Sequence, residues 1–227
     1  TRRALENLVR LAIDEEMKFV LLAGDLYDGD WKDYNTALFL AAQMSKLRHH
    51  GIRVYAISGN HDAESQISRS LSMPDNVTFF STRAPQSQFL EDLNVVIHGQ
   101  GFPKRAVPED LSESYPVPRK GALNIGLLHT SATGREGHAT YAPCTLDGLR
   151  AKRYDYWALG HVHAREVLCT EPWIVFPGNI QGRHARETGP KGCSLVPADD
   201  GAVTSGVHHD LDVLRWAVRH IDATDAA

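Results

Sequence analysis

Phe19-Val20-Leu21-Leu22-Ala23-Gly24-Asp25-Leu26-Tyr27-Asp28 begins as a continuous apolar run and breaks off at a glycine followed by a carboxylate. A run without alternation suits a strand buried on both faces of a sheet. A carboxylate at the end of such a strand is costly to bury unless a cation meets it. A metal ion is one such cation, and one carboxylate can bridge two of them. The competing reading is that Asp25 caps a turn, as Asp often does. The choice between the two rests on what the other strands end in.

Upstream of that stretch, Leu5, Leu8, Val9, Ala12 and Ile13 recur at helical spacing and predict a helix over residues 2–16. Downstream, Tyr34, Ala37, Leu38, Ala41 and Met44 mark a second helix that Gly51 ends, and residues 52–57 read as the next strand. Helix, strand, helix, strand implies a parallel sheet with covering helices. A short helix is expected over 64–71, and short strands over 77–80, 88–90 and 94–98. Residues 101–120 carry Pro103, Pro108, Pro116 and Pro118 and read as a loop with one helical turn. Residues 123–128 form another buried strand ending on His129, and 130–143 is a surface loop. Residues 154–159 form a strand ending on Gly160-His161-Val162-His163. From there the pattern is all strand: 166–169, 173–176, 192–196, 203–206 and 211–217. The class is therefore α/β opening into antiparallel β (α+β), with two sheets packed face to face and each covered by helices. No repeat or low-complexity segment interrupts it.

Composition narrows the function. At 227 residues and 42% hydrophobic, the chain can bury a sizeable core. A net charge of −4 offers no global field for nucleic acid, so any such contact needs a local basic patch. Three distant cysteines, Cys144, Cys169 and Cys193, argue for reduced thiols in a cytoplasmic protein. No run is long enough to cross a membrane. Thr1 leads straight into a helical pattern with no signal peptide and no initiator Met, which predicts a piece of a longer sequence.

Four strands each end in a candidate ligand: Asp25, Asn60 with His61, His129, and His161 with His163. The carboxyl ends of parallel strands are where α/β sheets place their sites. His161 and His163 lie one residue apart and point the same way on an extended segment, suiting two neighbouring metals or two positions on one. Gly59 and Gly160 precede ligands, where a sharp backbone turn is expected. Carboxylate, amide oxygen and imidazole without thiolate exclude soft-metal sites; manganese fits best, with iron or zinc as alternatives. Two such ions about 3.5–4 Å apart clamp a phosphate. His61, beside Asn60, then remains to protonate a leaving alkoxide, with Asp28 holding its tautomer. Asp28 and Asp62 also read as turn or helix caps, the reading preferred for Asp62. Arg150, Lys152 and Arg153, and Arg183, His184, Arg186 and Lys191, are candidate phosphate contacts or simply solvated surface.

At these residues the chain resembles the calcineurin-like metallophosphoesterases. Gly24-Asp25-Leu26-Tyr27-Asp28, Gly59-Asn60-His61-Asp62, His129 and Gly160-His161-Val162-His163 match the second to fifth motifs of that superfamily in order. Tyr156-Trp157-Ala158-Leu159 before the last motif, Gly29-Asp30-Trp31 after the first, and Pro177-Gly178-Asn179-Ile180-Gln181-Gly182-Arg183-His184 resemble the DNA repair exonuclease branch of SbcD, Mre11 and YhaO type. The resemblance implies a four-layer α/β/β/α sandwich of two mixed sheets. It implies that Asp25 bridges two divalent metals, that Asn60, His129 and His161 complete one site, and that His163 serves the other. His61 is then the general acid with Asp28 its partner. The implied partners are DNA, an SbcC/Rad50-like coiled-coil ATPase and a second copy in a homodimer. The family's first motif, an Asp-x-His closing the first strand, is missing from this sequence. The expectation is therefore a core over 1–219 without its first strand, a linker stub over 220–227, and a His163 site that is empty or weakly filled. Besides a DNA exonuclease, two other functions fit the sequence: hydrolysis of a small phosphoester, or a catalytically impaired piece acting as a scaffold.

Overall fold

The structure, a computed structural model, describes residues 1–27, 34–64, 73–132 and 141–220. Asp28, residues 29–33, most of the expected 64–71 helix, the tip of the 130–143 loop and residues 221–227 of the expected linker lie outside them.

Helix α1 (Arg2–Asp14) buries Ala4, Leu8, Val9 and Ala12, one stripe at helical spacing. It leads into β1 (Phe19–Leu22), then α2 (Tyr34–His49), β2 (Arg53–Ala56) and β3 (Val77–Phe79). Beyond α2, Gly51 takes φ 70° and the N–H of Ile52 returns to the Leu47 carbonyl, which stops the helix before β2. Strands β1, β2 and β3 form a parallel sheet, with Leu22 opposite Ala56. The larger sheet is mixed. It runs β4 (Gln86–Leu90), β5 (Val95–Gln100), β6 (Leu123–His129), β7 (Tyr156–Gly160), β9 (Trp173–Phe176), β8 (Glu166–Thr170). Its four inner strands are parallel, and β4 and β8 close its edges antiparallel.

Alternation along the strands builds the layers. Val20, Leu22 and Val54 face α1 and α2. Phe19, Leu21, Tyr55 and Ile57 face the other way and meet Ile97, Ile125, Leu127, Tyr156 and Val175 between the sheets. On the outer face of the larger sheet, Leu128, Trp157, Leu159, Ile174 and Phe176 pack under Tyr115, Tyr154 and Leu149. Leu149 belongs to α3 (Leu146–Ala151). The order is therefore helix, sheet, sheet and a thin outer cover made of α3, the 3-10 turn Leu111–Ser114 and loop. Among the described residues no helix is long and apolar enough to cross a membrane.

The sequence misses one short helix and misplaces two strands. Helix α3 has no counterpart in the sequence reading, because six residues are too few to show a period; Thr145 starts it by accepting from the N–H of Gly148 at 2.9 Å. Residues 211–217 are not a strand. The strand is β13 (Val207–Asp210), paired antiparallel with β10 (Gly192–Leu195). Beyond it the Gln181 side chain takes the place of a neighbouring strand. Its Oε1 accepts from the N–H of Val213 at 2.9 Å, and its Nε2 donates to the Leu214 carbonyl at 2.6 Å. Between them β11 (Ala198–Asp199) and β12 (Ala202–Val203) form a small hairpin where 203–206 was expected to be extended.

Candidate metal centre

Neighbouring strands of each sheet deliver their ends to one place. β1 continues into Gly24-Asp25 and β2 into Asn60-His61, while β6 ends on His129 opposite Gly160 of β7, just before His161. The Asn60 Oδ1 lies 2.9 Å from His129 Nε2 and 3.2 Å from His161 Nδ1. His129 Nε2 is 3.4 Å from Asp25 Oδ2. One ligand atom each of Asp25, His129 and His161 lie within 4.8 Å of one another. Four residues from four separate segments thus share a centre, and the turn-cap reading of Asp25 is insufficient.

The donor set fits a divalent cation. His129 is fully buried, and its Nδ1 lies 2.8 Å from the Ala23 carbonyl, which can only accept, so the proton belongs on Nδ1. Nε2 therefore faces inward with its lone pair towards an amide oxygen and a carboxylate oxygen. Such a grouping needs positive charge at its middle, from a proton or a metal ion. The electrostatics of the pair run the same way. Burial alone would raise the Asp25 carboxyl, but hydrogen bonding and charge from His129, with the His61 N–H, outweigh it and hold Asp25 at about 2. Burial would lower His129, and Asp25 reverses that and raises it.

Backbone geometry sets these positions. Gly24 takes φ 93° and Asp25 itself φ 54°, so the chain turns sharply as it leaves β1. Gly59 and Gly160 do not serve as turns: neither has positive φ. A Cβ on Gly59 would collide with Asp25 Oδ1 and His129 Cε1, and one on Gly160 with the Ala23 carbonyl. Their role is close approach, not conformational freedom.

Asp62 does more than cap a turn. It is buried and accepts from the N–H of Gly59 and of Tyr27, each at 2.9 Å, tying the loop after β2 to the loop after β1. Burial raises its pKa against the pull of those donors. Asp62→Ala strands two buried N–H groups. The expected loss is about 2–4 kcal/mol, a fall in Tm on the order of 4–16 °C, read by thermal unfolding.

His61 is half-buried beside this centre. Its N–H donates to Asp25 Oδ1 at 3.0 Å, and its charge helps to lower the Asp25 pKa. The expected Asp28 contact lies outside the described residues.

His163 is set apart from the four. Its Nδ1 lies 2.7 Å from Glu187 Oε1. Glu187 was not singled out from the sequence, where it looks like one acid in a basic loop. Burial would raise it, but the Arg183 N–H, His163 and Asn179 hold it at about 2. Two of the expected phosphate contacts are committed to the fold. Lys191 is buried and donates to the His163 carbonyl at 3.0 Å. Lys152 donates to the carbonyls of Glu113 and Tyr115 at 2.7 and 2.9 Å. Arg183, His184 and Arg186 remain exposed.

Comparison with known proteins places the chain beside phosphoesterases in sequence. A family model described as calcineurin-like phosphoesterase matches residues 1–165. The uncharacterized metallophosphoesterase YhaO of Bacillus subtilis (strain 168) is 38% identical over 230 residues, an alignment covering 100% of this chain and 56% of that protein. The chain thus spans little more than half the length of that relative. Among solved structures, the crystal structure of TT1561 of Thermus thermophilus superposes with TM-score 0.49 at 17% identity, covering 77% of this chain and 83% of the other.

Proposed function

The chain belongs to the calcineurin-like phosphoesterase family, and from that premise we propose that it is a metal-dependent phosphodiesterase whose substrate is DNA, acting as an exonuclease in repair. The observation that carries the reading is the meeting of Asp25, Asn60, His129 and His161 at the ends of four strands. These residues, with His163 on the neighbouring position, are the proposed ligands of two divalent ions, manganese first and iron or zinc as alternatives. Bound there, such ions supply Lewis-acid activation of a phosphate oxygen and of water.

The chain's own groups supply the rest. Asp25 and Asn60 place negative and dipolar oxygen at the centre, and Ala23 holds the His129 ring with Nε2 inward. His61, on the loop anchored to Asp25, gives its proton to the leaving alkoxide as the P–O bond breaks. Exposed Arg183 and Arg186, on the loop joined to His163 through Glu187, meet the DNA backbone. Arg183→Ala is expected to weaken DNA binding across sequences and to lower the salt slope by about one phosphate contact. Fluorescence anisotropy over a salt series measures it, and an unchanged slope removes Arg183 from the interface. A coiled-coil ATPase of SbcC/Rad50 type, a homodimeric arrangement and a cytoplasmic setting belong to the same proposal.

One observation favours a second reading, hydrolysis of a small phosphoester. The net charge is −4, and Lys152 and Lys191 are spent on internal carbonyls. Parallel Mn²⁺ assays on single-stranded DNA, duplex DNA and a chromogenic diester separate the two. Turnover of the diester with neither DNA cleaved overturns the nuclease assignment.

A further inference from the structure

His163 is braced by a single segment of chain. The Lys191 Nζ and the Asn179 N–H both donate to its backbone carbonyl, at 3.0 and 3.2 Å. Gly178, at φ 79°, turns the chain where a Cβ would press within 3.0 Å of that carbonyl. At the ring, Nδ1 meets Glu187 Oε1 at 2.7 Å. The other carboxylate oxygen of Glu187 accepts from Asn179 Nδ2 at 2.9 Å and from the Arg183 N–H at 2.8 Å. His184 Nε2 approaches Oε1 at 3.4 Å. Glu187 is nearly buried, with 9% of its side chain exposed against 43% for His163.

A carboxylate needed only to close its own loop is satisfied by Asn179 and Arg183. The oxygen left over is aimed at a ring whose two nitrogens have different uses. A carboxylate accepts only, so the neutral His163 ring keeps its proton on Nδ1 and carries its lone pair on Nε2. Carboxylates play this part behind metal-binding imidazoles generally.

We propose that Glu187 is a positioning residue for the second half of the metal centre, fixing the tautomer and orientation of His163 so that Nε2 is its ligand atom. The metal-binding clause rests on the function proposed above; the tautomer clause does not. One glutamate thereby joins the exposed basic loop, through the Arg183 N–H, to the residue expected to hold a metal.

Histidine side-chain ¹⁵N–¹H spectra of the metal-free protein, at a pH where the His163 ring is neutral, test it. Wild type is expected to show His163 as the Nδ1–H form. Glu187→Ala is expected to lose that form to the Nε2–H form favoured by an unbonded imidazole. Asn179→Ala, which loosens the same loop and leaves the Glu187 to His163 bond, is expected to keep Nδ1–H. The same tautomer in wild type and Glu187→Ala, or its loss in Asn179→Ala, overturns the inference. Mn²⁺ titration of Glu187→Ala, which removes the acceptor, is the second reading. Affinity at the weaker site should fall about 10–100-fold, with the stronger site unmoved. An unaltered weaker site also overturns the inference, whereas a wild type that binds no Mn²⁺ strikes the phosphoesterase reading and leaves the tautomer result intact.

Discussion

Asp25→Asn is expected to remove metal-dependent hydrolysis while leaving the fold in place. Asn is the sharper choice than Ala. Asp25 sits at φ 54°, a region Asn tolerates nearly as well as Asp. The amide oxygen can still accept from the His61 N–H. What disappears is the charge, which at neutral pH is complete because Asp25 is held at about 2. Metal charge stabilisation is worth several kcal/mol, and about 1.4 kcal/mol corresponds to a decade in rate. The fall in kcat/KM should therefore be on the order of 10³-fold or more. The metal-free Tm should fall by a few degrees, because the ionised Asp25 that His129 favours no longer contributes to the folded state, and the rise in Tm on adding Mn²⁺ should vanish, since an ion that no longer binds the native state cannot stabilise it. A variant that keeps the Mn²⁺ shift and hydrolyses within about tenfold of wild type would remove Asp25 from the metal centre.

The cluster was legible from the sequence because its residues follow directly on buried apolar runs. Asp25, Asn60, His129 and His161 each stand within a few residues of a strand end, so local pattern places each at a strand terminus, whereas the meeting of the β1–β2 and β6–β7 ends, from different sheets, is set by how the two sheets pack. Asp62 and Glu187 carry no such mark. Asp62 reaches Tyr27 across 35 positions, and Glu187 reaches His163 across 24, and only the folded path brings those partners together. Lys191 shows the converse failure. Sequence displays its charge, but its burial under His163 depends on the β10–β13 pairing, which the apolar pattern of 211–217 disguised. Gly59 and Gly160 were rightly expected to matter, for the wrong reason: the pressure on them comes from Asp25, His129 and Ala23, atoms distant in sequence.

His61→Asn carries the second large effect, and it separates the proposed proton donor from the proposed metal ligands. The substitution keeps the backbone N–H that holds Asp25, so Mn²⁺ affinity and the Mn²⁺ shift in Tm should match wild type. The imidazole is lost. If His61 protonates the leaving oxygen, kcat on DNA should fall about 10²–10⁴-fold, because a sugar alkoxide leaves poorly without a proton. On a bis(4-nitrophenyl) ester the leaving phenolate is stable unprotonated, so the same variant should lose much less. The ratio of the two losses is the decisive quantity. Equal loss on both substrates would assign His61 to shaping the Asp25 carboxylate, whose pKa its charge already lowers. Full activity on DNA with Mn²⁺ bound would take away the general acid altogether, and the leaving oxygen would have to receive its proton from solvent.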